Sequence, residues 1–343
     1  MRVGVVGCGY WGSKHLRVLS NVPDVSAIVG IDSSPDRRHA VQRTLRNVTT
    51  FGTLAEALPH LDAAVVATPP ETHVAIASAL LRDNKDVLVE KPLATSVTGA
   101  RALADLAADR ACVLMVGHTF EYNRAVGALR TIVQSGELGE VYHVDTARLN
   151  LGLYQADVDV FWDLAPHDIS ISNRILDATP QVVRAWGHAY AHRRLRDVGY
   201  LHLTYEALGI ATQIHVSWLE PRKVRRVTVV GSHKMAVYND LADDERLRIY
   251  DKSVDTAPAS ADERLHAVPP TYRNGGIVSP FVPFDEPLAV EDAHFVECVM
   301  TRGRPLSGAE TGIAVVATLE AATRSLSEDR PVEVELVPAA SLS

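Results

Sequence analysis

Cysteine is scarce in this chain: three residues in 343, at Cys8, Cys112 and Cys298. They stand far apart in apolar or glycine-rich settings and form no C-x-x-C pair, so neither a disulfide framework nor a metal site is expected. Reduced thiols in a reducing compartment are the default. Long apolar runs are missing too, and with them any membrane-spanning segment. The N-terminus enters an apolar strand pattern at once, which leaves no room for a signal peptide, and the expected location is cytoplasmic. Basic clusters interleaved with aromatics are lacking, and the net charge is −8. The densest basic run, Arg222 to Arg226, lies inside an alternating strand pattern and reads as a solvated strand face or an interface. Nucleic acid is therefore not an expected partner. Internal repeats and low-complexity segments are absent as well.

What is present is an ordinary globular composition, 47% apolar and 22% charged, in a chain long enough for two domains. Its organising stretch is Met1 to Gly12. The apolar run Val3 to Val6 stops in Gly7-Cys8-Gly9-Tyr10-Trp11-Gly12, a G-x-G-x-x-G, and helix-like sequence follows from Ser13 to Leu19. Gly7 permits a tight turn, Gly9 lets backbone approach a pyrophosphate, and Gly12 lets the helix pack close to the strand. The phosphate would sit on N–H groups at the helix N-terminus. The next strand, Val25 to Ile31, ends in Asp32, 20 residues after Gly12, where a carboxylate accepts hydrogen bonds from an adenosine ribose. That carboxylate would repel a 2′-phosphate, which favours NAD over NADP, although Arg37 and Arg38 could accommodate one. Tyr10, Trp11 and Ser33 join the candidate cofactor set.

From Met1 to about Gly117, apolar runs without alternation (Val3–Val6, Val25–Ile31, Ala63–Ala67, Val87–Val89, Cys112–Val116) are separated by helical patterns (Ser13–Leu19, Pro35–Leu45, Glu71–Leu81, Ser96–Ala108). Such strands belong to a parallel sheet covered on both faces, a doubly wound dinucleotide domain over residues 1–119. Residues 120–343 read differently. Helices are expected over Asn123–Val133 and Asp163–Leu176, and strands over Val141–Leu151, Gln181–Tyr190, Gly199–Tyr205, Ile210–Trp218, Val224–Val230 and Met235–Tyr238. Consecutive strands with short turns make an antiparallel sheet, and helices to one side of it make an α+β domain. Asp251 to Glu286 reads as a long loop, Val290–Met300 and Ala309–Ser327 as a last helix pair, and the tail beyond Leu336 as frayed.

Ligands bind outside the carboxyl ends of parallel strands, so the residues after each strand carry the chemistry. After the third run comes Thr68-Pro69-Pro70-Glu71-Thr72-His73, a rigid turn facing the cofactor; His73 is either a dinucleotide contact or a plain first-turn residue. After the fourth comes Glu90-Lys91-Pro92. An ammonium there could polarise a carbonyl or hold an alkoxide, and equally it could be a surface ion pair of little consequence. The third cluster is Trp162-Asp163-Leu164-Ala165-Pro166-His167-Asp168-Ile169-Ser170. Asp163 could N-cap a helix, with Pro166 in its first turn. Asp163 and His167 are spaced i, i+4, a carboxylate beside an imidazole on one helix face. By spacing alone, a capped helix with a buried, hydrogen-bonded His fits as well.

Together these residues change the reading. GVVGCGYWG, Asp32, ATPPETH, VEKPLA and DLAPH, in that order and spacing, resemble the Gfo/Idh/MocA family of NAD(P)-dependent sugar and polyol oxidoreductases. The likeness extends through Glu291-x-x-His294-Phe295 and Val315 to Leu326. It implies a Rossmann domain followed by a domain built on a large open, mainly antiparallel sheet, with a cis Lys–Pro bond. It also implies that Lys91 is the active-site lysine, His167 the general acid/base and Asp163 its partner, with Gly7, Gly9, Gly12 and Asp32 as the cofactor fingerprint. Candidate cofactor contacts then include Thr68, Pro69, His73, Glu90, Lys91 and Trp162; candidate substrate contacts are Lys91, Asn123, Arg148, Trp162, Asp163 and His167. The sequence departs from the family pattern where Ser170 stands in place of an Asp and Asp168 directly follows the His. Whether Asp163 or Asp168 partners His167 stays open.

The implied reaction moves a hydride between NAD and a secondary hydroxyl or ketone, C3 being the expected carbon, of an NDP-hexose or of an aminosugar unit of an antibiotic precursor. An inositol or cyclitol dehydrogenase is the alternative. A non-catalytic NAD-binding regulator is another, though it would not need the Lys91, Asp163, His167 set. The resemblance also points to dimers or tetramers formed through the second sheet. The set Ala211, Gln213, His215 and Ser217 carries less charge than a solvated face should. The competing expectation is that the Asp251–Glu286 stretch folds over that face.

Overall fold

The computed structural model describes residues 1–151, 158–191, 194–255 and 271–335. The chain divides into two compact units. The first takes in Met1–Asn123 and Asp285–Glu320, the second Arg124–Phe284 and Ala321–Glu335.

In the first unit, strands and helices alternate: β1 (Arg2–Val6), α1 (Tyr10–Leu19), β2 (Ala27–Ile31), α2 (Pro35–Thr44), β3 (Val48–Phe51), α3 (Leu54–Ala57), β4 (Ala63–Val66), α4 (His73–Arg82), β5 (Asp86–Glu90), α5 (Val97–Asp109) and β6 (Leu114–Gly117). The six strands are parallel in the order β3-β2-β1-β4-β5-β6. β4 and β5 are buried along their whole length, which is why their sequence shows unbroken apolar runs rather than alternation. β3 escapes the sequence reading because Val48-Thr49-Thr50-Phe51 contains no apolar run. The chain also returns to this unit: Phe295, Val296 and Val299 pack into one core with Val3, Val5 and Leu16.

The second unit opens with α6 (Arg124–Gln134), β7 (Val141–Leu151) and α7 (Val160–Leu176). The strands β8 (Val182–His188), β9 (Val198–Tyr205), β10 (Ile210–Ser217), β11 (Leu219–Gly231), β12 (Met235–Asn239), β13 (Leu247–Asp255) and β14 (Thr271–Val278) follow. Next in the chain are α8 (Pro287–Thr301), α9 (Ala309–Glu328) and a last short strand, β15 (Val332–Glu333). The nine strands order as β14-β13-β12-β11-β7-β10-β9-β8-β15; β10 pairs parallel with β7 and every other pairing is antiparallel.

One expectation is corrected here. The Asp251–Glu286 stretch is not all loop: β13 runs on to Asp255, and Thr271–Val278 pairs with it as β14. β14 is exposed along its whole length and holds Gly275-Gly276, so it has no buried face to impose alternation on its sequence. Residues 256–270 of that stretch, and the tail beyond Glu335, lie outside the described residues. Among the described residues no helix is long and apolar enough to cross a membrane, and no group of three His, Cys, Asp or Glu side chains could hold a metal ion.

One detail fixes how α7 lies on its sheet. Gly187 of β8 and Gly199 of β9 are register partners, and the ring of Phe161 rests on both. A Cβ at Gly187 would come 2.6 Å from that ring, and one at Gly199 would overlap it. The two glycines form a notch, and Phe161 is the peg that sets the first turn of α7.

Candidate active site

The turn after β1 is built for a ligand. Gly7 has φ +91°, and a Cβ there would press on the Ala67 carbonyl oxygen at 2.7 Å. A Cβ at Gly12 would overlap the Gly7 carbonyl, so α1 can start this close to β1 only with glycine. Gly9 is different: a Cβ there would meet nothing nearer than Arg37 Nη1 at 4.0 Å. The space over Gly9 is therefore open, which is the cradle a pyrophosphate needs. Gly9 is also the N-cap of α1; no side chain caps that helix and no acidic residue occupies its first turn. The helix N-terminus presents its N–H groups and positive dipole end to whatever enters.

Asp32 is fixed beside that cradle. Its Oδ2 accepts the Cys8 N–H at 2.8 Å and its Oδ1 accepts the Ser34 N–H at 2.8 Å. Arg37 reaches within 3.5 Å of Oδ2 from an exposed position, while Arg38 donates to the Asp32 and Ser33 carbonyls. Burial, together with the Asp32 charge, pushes the Cys8 thiol up to about 11, so it stays an inert thiol. Tyr10 and Trp11 are exposed, with Lys14 Nζ over both rings. The residues present fit a dinucleotide.

Lys91 follows β5 directly, at the carboxyl end of the parallel sheet, and its bond to Pro92 is cis. The Lys91 N–H donates to Glu90 Oε2 at 3.0 Å. His73 is almost fully buried rather than facing a ligand: its ring lies between the carbonyl oxygens of Pro92 and Thr68, 2.8 Å from each. Burial lowers its pKa while the two carbonyls oppose the shift, and the ring spans the Thr68-Pro69 turn and the turn after Lys91. Thr72 Oγ1, 2.7 Å from Thr68 Oγ1, tightens the same turn. Asn123 is buried and donates its N–H to the Phe120 carbonyl.

In the second unit α7 carries the D-x-x-x-H pair. The cap is Asp159, not Asp163: its Oδ1 accepts the Phe161 and Trp162 N–H groups at 3.1 and 3.3 Å. The helix therefore begins earlier than the sequence suggests, and Pro166 lies inside it, where it removes one i→i−4 bond to Trp162. Asp159 itself, four residues ahead of Asp163 and just before an apolar run, is the signal for the true start. Asp163 lies in the first turn and accepts the indole N–H of fully buried Trp218 at 3.2 Å. One turn on, half-buried His167 shares its face.

Asp168 is occupied elsewhere. Arg148 of β7 grips it through Nε at 2.6 Å and Nη2 at 3.3 Å, and both side chains are buried. Arg148 thus ties α7 to the sheet rather than reaching outward. Burial pushes the Asp168 carboxyl up, and Arg148 opposes it. Trp162 donates its indole N–H to Thr323 Oγ1 at 3.1 Å.

Residues 1–118 match the family described as "Oxidoreductase family, NAD-binding Rossmann fold", and residues 126–237 match the GFO/IDH/MocA C-terminal domain. UDP-N-acetylglucosamine 3-dehydrogenase of Acidithiobacillus ferrooxidans is 26% identical over 93% of this chain and 99% of its own. Inositol 2-dehydrogenase of Rhizobium meliloti is 22% identical over 97% and 99%. The crystal structure of GenD2 from gentamicin A biosynthesis, in complex with NAD, superposes with a TM-score of 0.81 at 26% identity, covering 98% of this chain and 96% of that one. With both halves of the chain matched and the glycine turn, the lysine turn and the capped helix folded as above, the chain belongs to the Gfo/Idh/MocA family of nicotinamide-dependent oxidoreductases.

Proposed function

We propose that this chain oxidises a secondary hydroxyl of a sugar or cyclitol, or reduces the matching ketone, with Lys91, His167 and Asp163 doing the chemistry. The observation that carries the reading is the α7 geometry. Asp168 is committed to Arg148, so Asp163 is the carboxylate sharing a face with His167. A bound nicotinamide supplies the hydride acceptor or donor. His167 takes the hydroxyl proton as the carbonyl forms and returns it in the reverse direction. Asp163, steadied by Trp218, orients the imidazole and stabilises its charged form. Lys91 holds the negative charge that grows on the reacting oxygen.

The substrate class rests on the relatives, which include a UDP-N-acetylglucosamine 3-dehydrogenase and an inositol 2-dehydrogenase. We favour the nucleotide-linked hexose or aminosugar, oxidised at C3, with cyclitols as the second reading. The test is a panel of UDP-N-acetylglucosamine, aminoglycoside precursors, myo-inositol and scyllo-inositol with NAD and NADP, followed by the absorbance of reduced cofactor. Turnover of at least one member is expected. Lys91→Met and His167→Asn should then each lower kcat by about 100- to 10,000-fold while NAD still binds. NAD binding with no turnover of any sugar or cyclitol would replace this reading with a non-catalytic, NAD-sensing one.

Cofactor choice follows from Asp32, whose oxygens are already oriented by Cys8 and Ser34. NAD is the expected cofactor. Asp32→Ser should weaken NAD and narrow its advantage over NADP; a wild type that already prefers NADP would show that Arg37 reaches a 2′-phosphate. The same reading has the chain working as an oligomer through the outer face of its nine-stranded sheet.

A further inference from the structure

Behind Lys91 lies a set of buried charges that the proposed chemistry does not use. His15, on the helix whose N-terminus forms the dinucleotide cradle, is fully buried. Its Nδ1 is 2.8 Å from Asp292 Oδ1 on α8, and its Nε2 is 3.2 Å from Glu90 Oε1. Burial pushes the Asp292 carboxyl up and His15 opposes it; with both carboxylates ionised they only accept, and a ring between them carries both protons as an imidazolium. Burial opposes that charge, but Asp292 and Glu90 together raise its pKa well above the ordinary value. Glu90 in turn is held ionised: burial works against it, and His15 and Lys91 outweigh the burial.

Glu90 is the hinge of the arrangement. One oxygen faces His15 and the other accepts the Lys91 N–H at 3.0 Å. The side chain has little freedom to do otherwise. It packs against Gly117 of β6, where even a Cβ would come 3.2 Å from Glu90 Oε2. Removing the imidazolium would leave the buried carboxylate with only Lys91 to offset its burial. The carboxylate would then take up a proton or swing away, and either response changes what the Lys91 N–H bonds to. The other ionisable groups around the cluster are Asp292, Glu291 (which accepts the Thr119 hydroxyl at 2.8 Å) and buried His118.

We propose that His15 is a positioning residue for Lys91: donating from both ring nitrogens, it clamps Glu90 and so locks the lysine turn to the helix that carries the cofactor cradle. Two bonds separate the imidazole from the lysine backbone, and α1 is common to the clamp and the dinucleotide site. Occupancy of the cradle and placement of the lysine are therefore linked through one side chain. The proposal rests on the reading of Lys91 as the group that holds the reacting oxygen.

The test needs no substrate. Reductive 13C-methylation labels Lys14, Lys85, Lys91, Lys223, Lys234 and Lys252, and replacement of each by Arg assigns the resonances. NAD is the only probe added. In the wild type the Lys91 resonance should be narrow and should move with NAD. In His15→Gln it should broaden or split and lose its NAD response, while Lys85 and Lys234 stay unchanged. Asp292→Asn, which leaves the His15–Glu90 contact in place, should give the same change at smaller amplitude, and it carries the test if His15→Gln does not fold. An unaltered Lys91 resonance, or equal shifts at all lysines, overturns the clamp. With a substrate from the panel, His15→Gln should lower kcat roughly 10- to 100-fold with little change in KM for NAD. In a Lys91→Met background the same substitution should add less than about 2-fold. Full additivity overturns the clamp even if Lys91 proves essential; a fully active Lys91→Met overturns the reading of Lys91 and leaves the clamp to the NMR result.

Discussion

His118 stands where β6 ends, fully buried, and neither ring nitrogen has a hydrogen-bond partner among the described residues. Burial drives its pKa from the ordinary 6.5 down to about 4, with Glu90 opposing and Lys91 assisting. The sign follows from linkage. Below pH 6.5 the unfolded chain takes up a proton that the folded chain refuses until about pH 4, so this group costs stability as the pH falls. Relative to His118→Asn, the wild type should lose about 3 kcal/mol between pH 6.5 and 4, read from urea unfolding at each pH. A difference that stays flat over that range would mean the ring is protonated or solvated in the native state. At this scale the sequence offers candidates but not what they touch. Gly7, Gly12 and Asp32 can be picked out because dinucleotide binding dictates their spacing, whereas Lys91 stands out only through the family resemblance of its VEKPLA motif. The commitment of Asp168 to Arg148, of Asp163 to Trp218 and of His15 to Glu90 and Asp292 depends on partners 20 to 277 residues away, which no local pattern encodes.

Elements were legible in proportion to how they bury. The strands β1, β4 and β5 and the amphipathic α5 and α6 follow from apolar runs and helical spacing. β3 and β14 do not, since one carries two threonines and the other has no buried face. The seat of α7 was hidden for another reason: Gly187 and Gly199 look like weak points in strands until Phe161 is placed on them. This gives a prediction about elements. Gly199→Ala should destabilise the protein by about 1–3 kcal/mol, because the methyl group overlaps a ring that has no room to retreat. Gly127→Ala is the control: it lies within α6 with nothing within 4 Å of its Cβ position, and it should stabilise by about 0.5–1 kcal/mol. Chemical denaturation of the two variants side by side checks both. A neutral Gly199→Ala would show that α7 can slide on the sheet, and Asp163 and His167 would then lack the fixed seat that the proposed chemistry requires.

The described residues form two sheets of opposite character, one parallel and covered, one mainly antiparallel with α6 and α7 on one face. The alternation of α/β and strand-rich sequence made that contrast readable, but not the return of α8 to the first core, since a contact across nearly 300 residues leaves no local trace. The outer face of the second sheet bears on assembly. Trp186, Tyr200 and His215 stand side by side across β8, β9 and β10, Trp186 and Tyr200 at 5.6 Å between ring centroids and Tyr200 and His215 stacked at 4.2 Å. Trp186 and Tyr200 remain 51% and 43% exposed. The same face carries Arg184, Asp145, Arg226 and Arg248, so what argues for self-association is the exposed aromatic row itself, since aromatic residues are enriched at interface cores. The competing idea, that the Asp251–Glu286 stretch covers this face, loses part of its material, because β13 and the edge strand β14 take residues up to Asp255 and from Thr271 to Val278 into the sheet. The expected outcome is a dimer or tetramer of the 37.2 kDa chain in sedimentation equilibrium at micromolar concentration. Tyr200→Glu with Trp186→Glu should shift it towards monomer, since two carboxylates on each copy would face each other across a desolvated contact. A wild type sedimenting at monomer mass throughout would assign the aromatic row to something other than self-association.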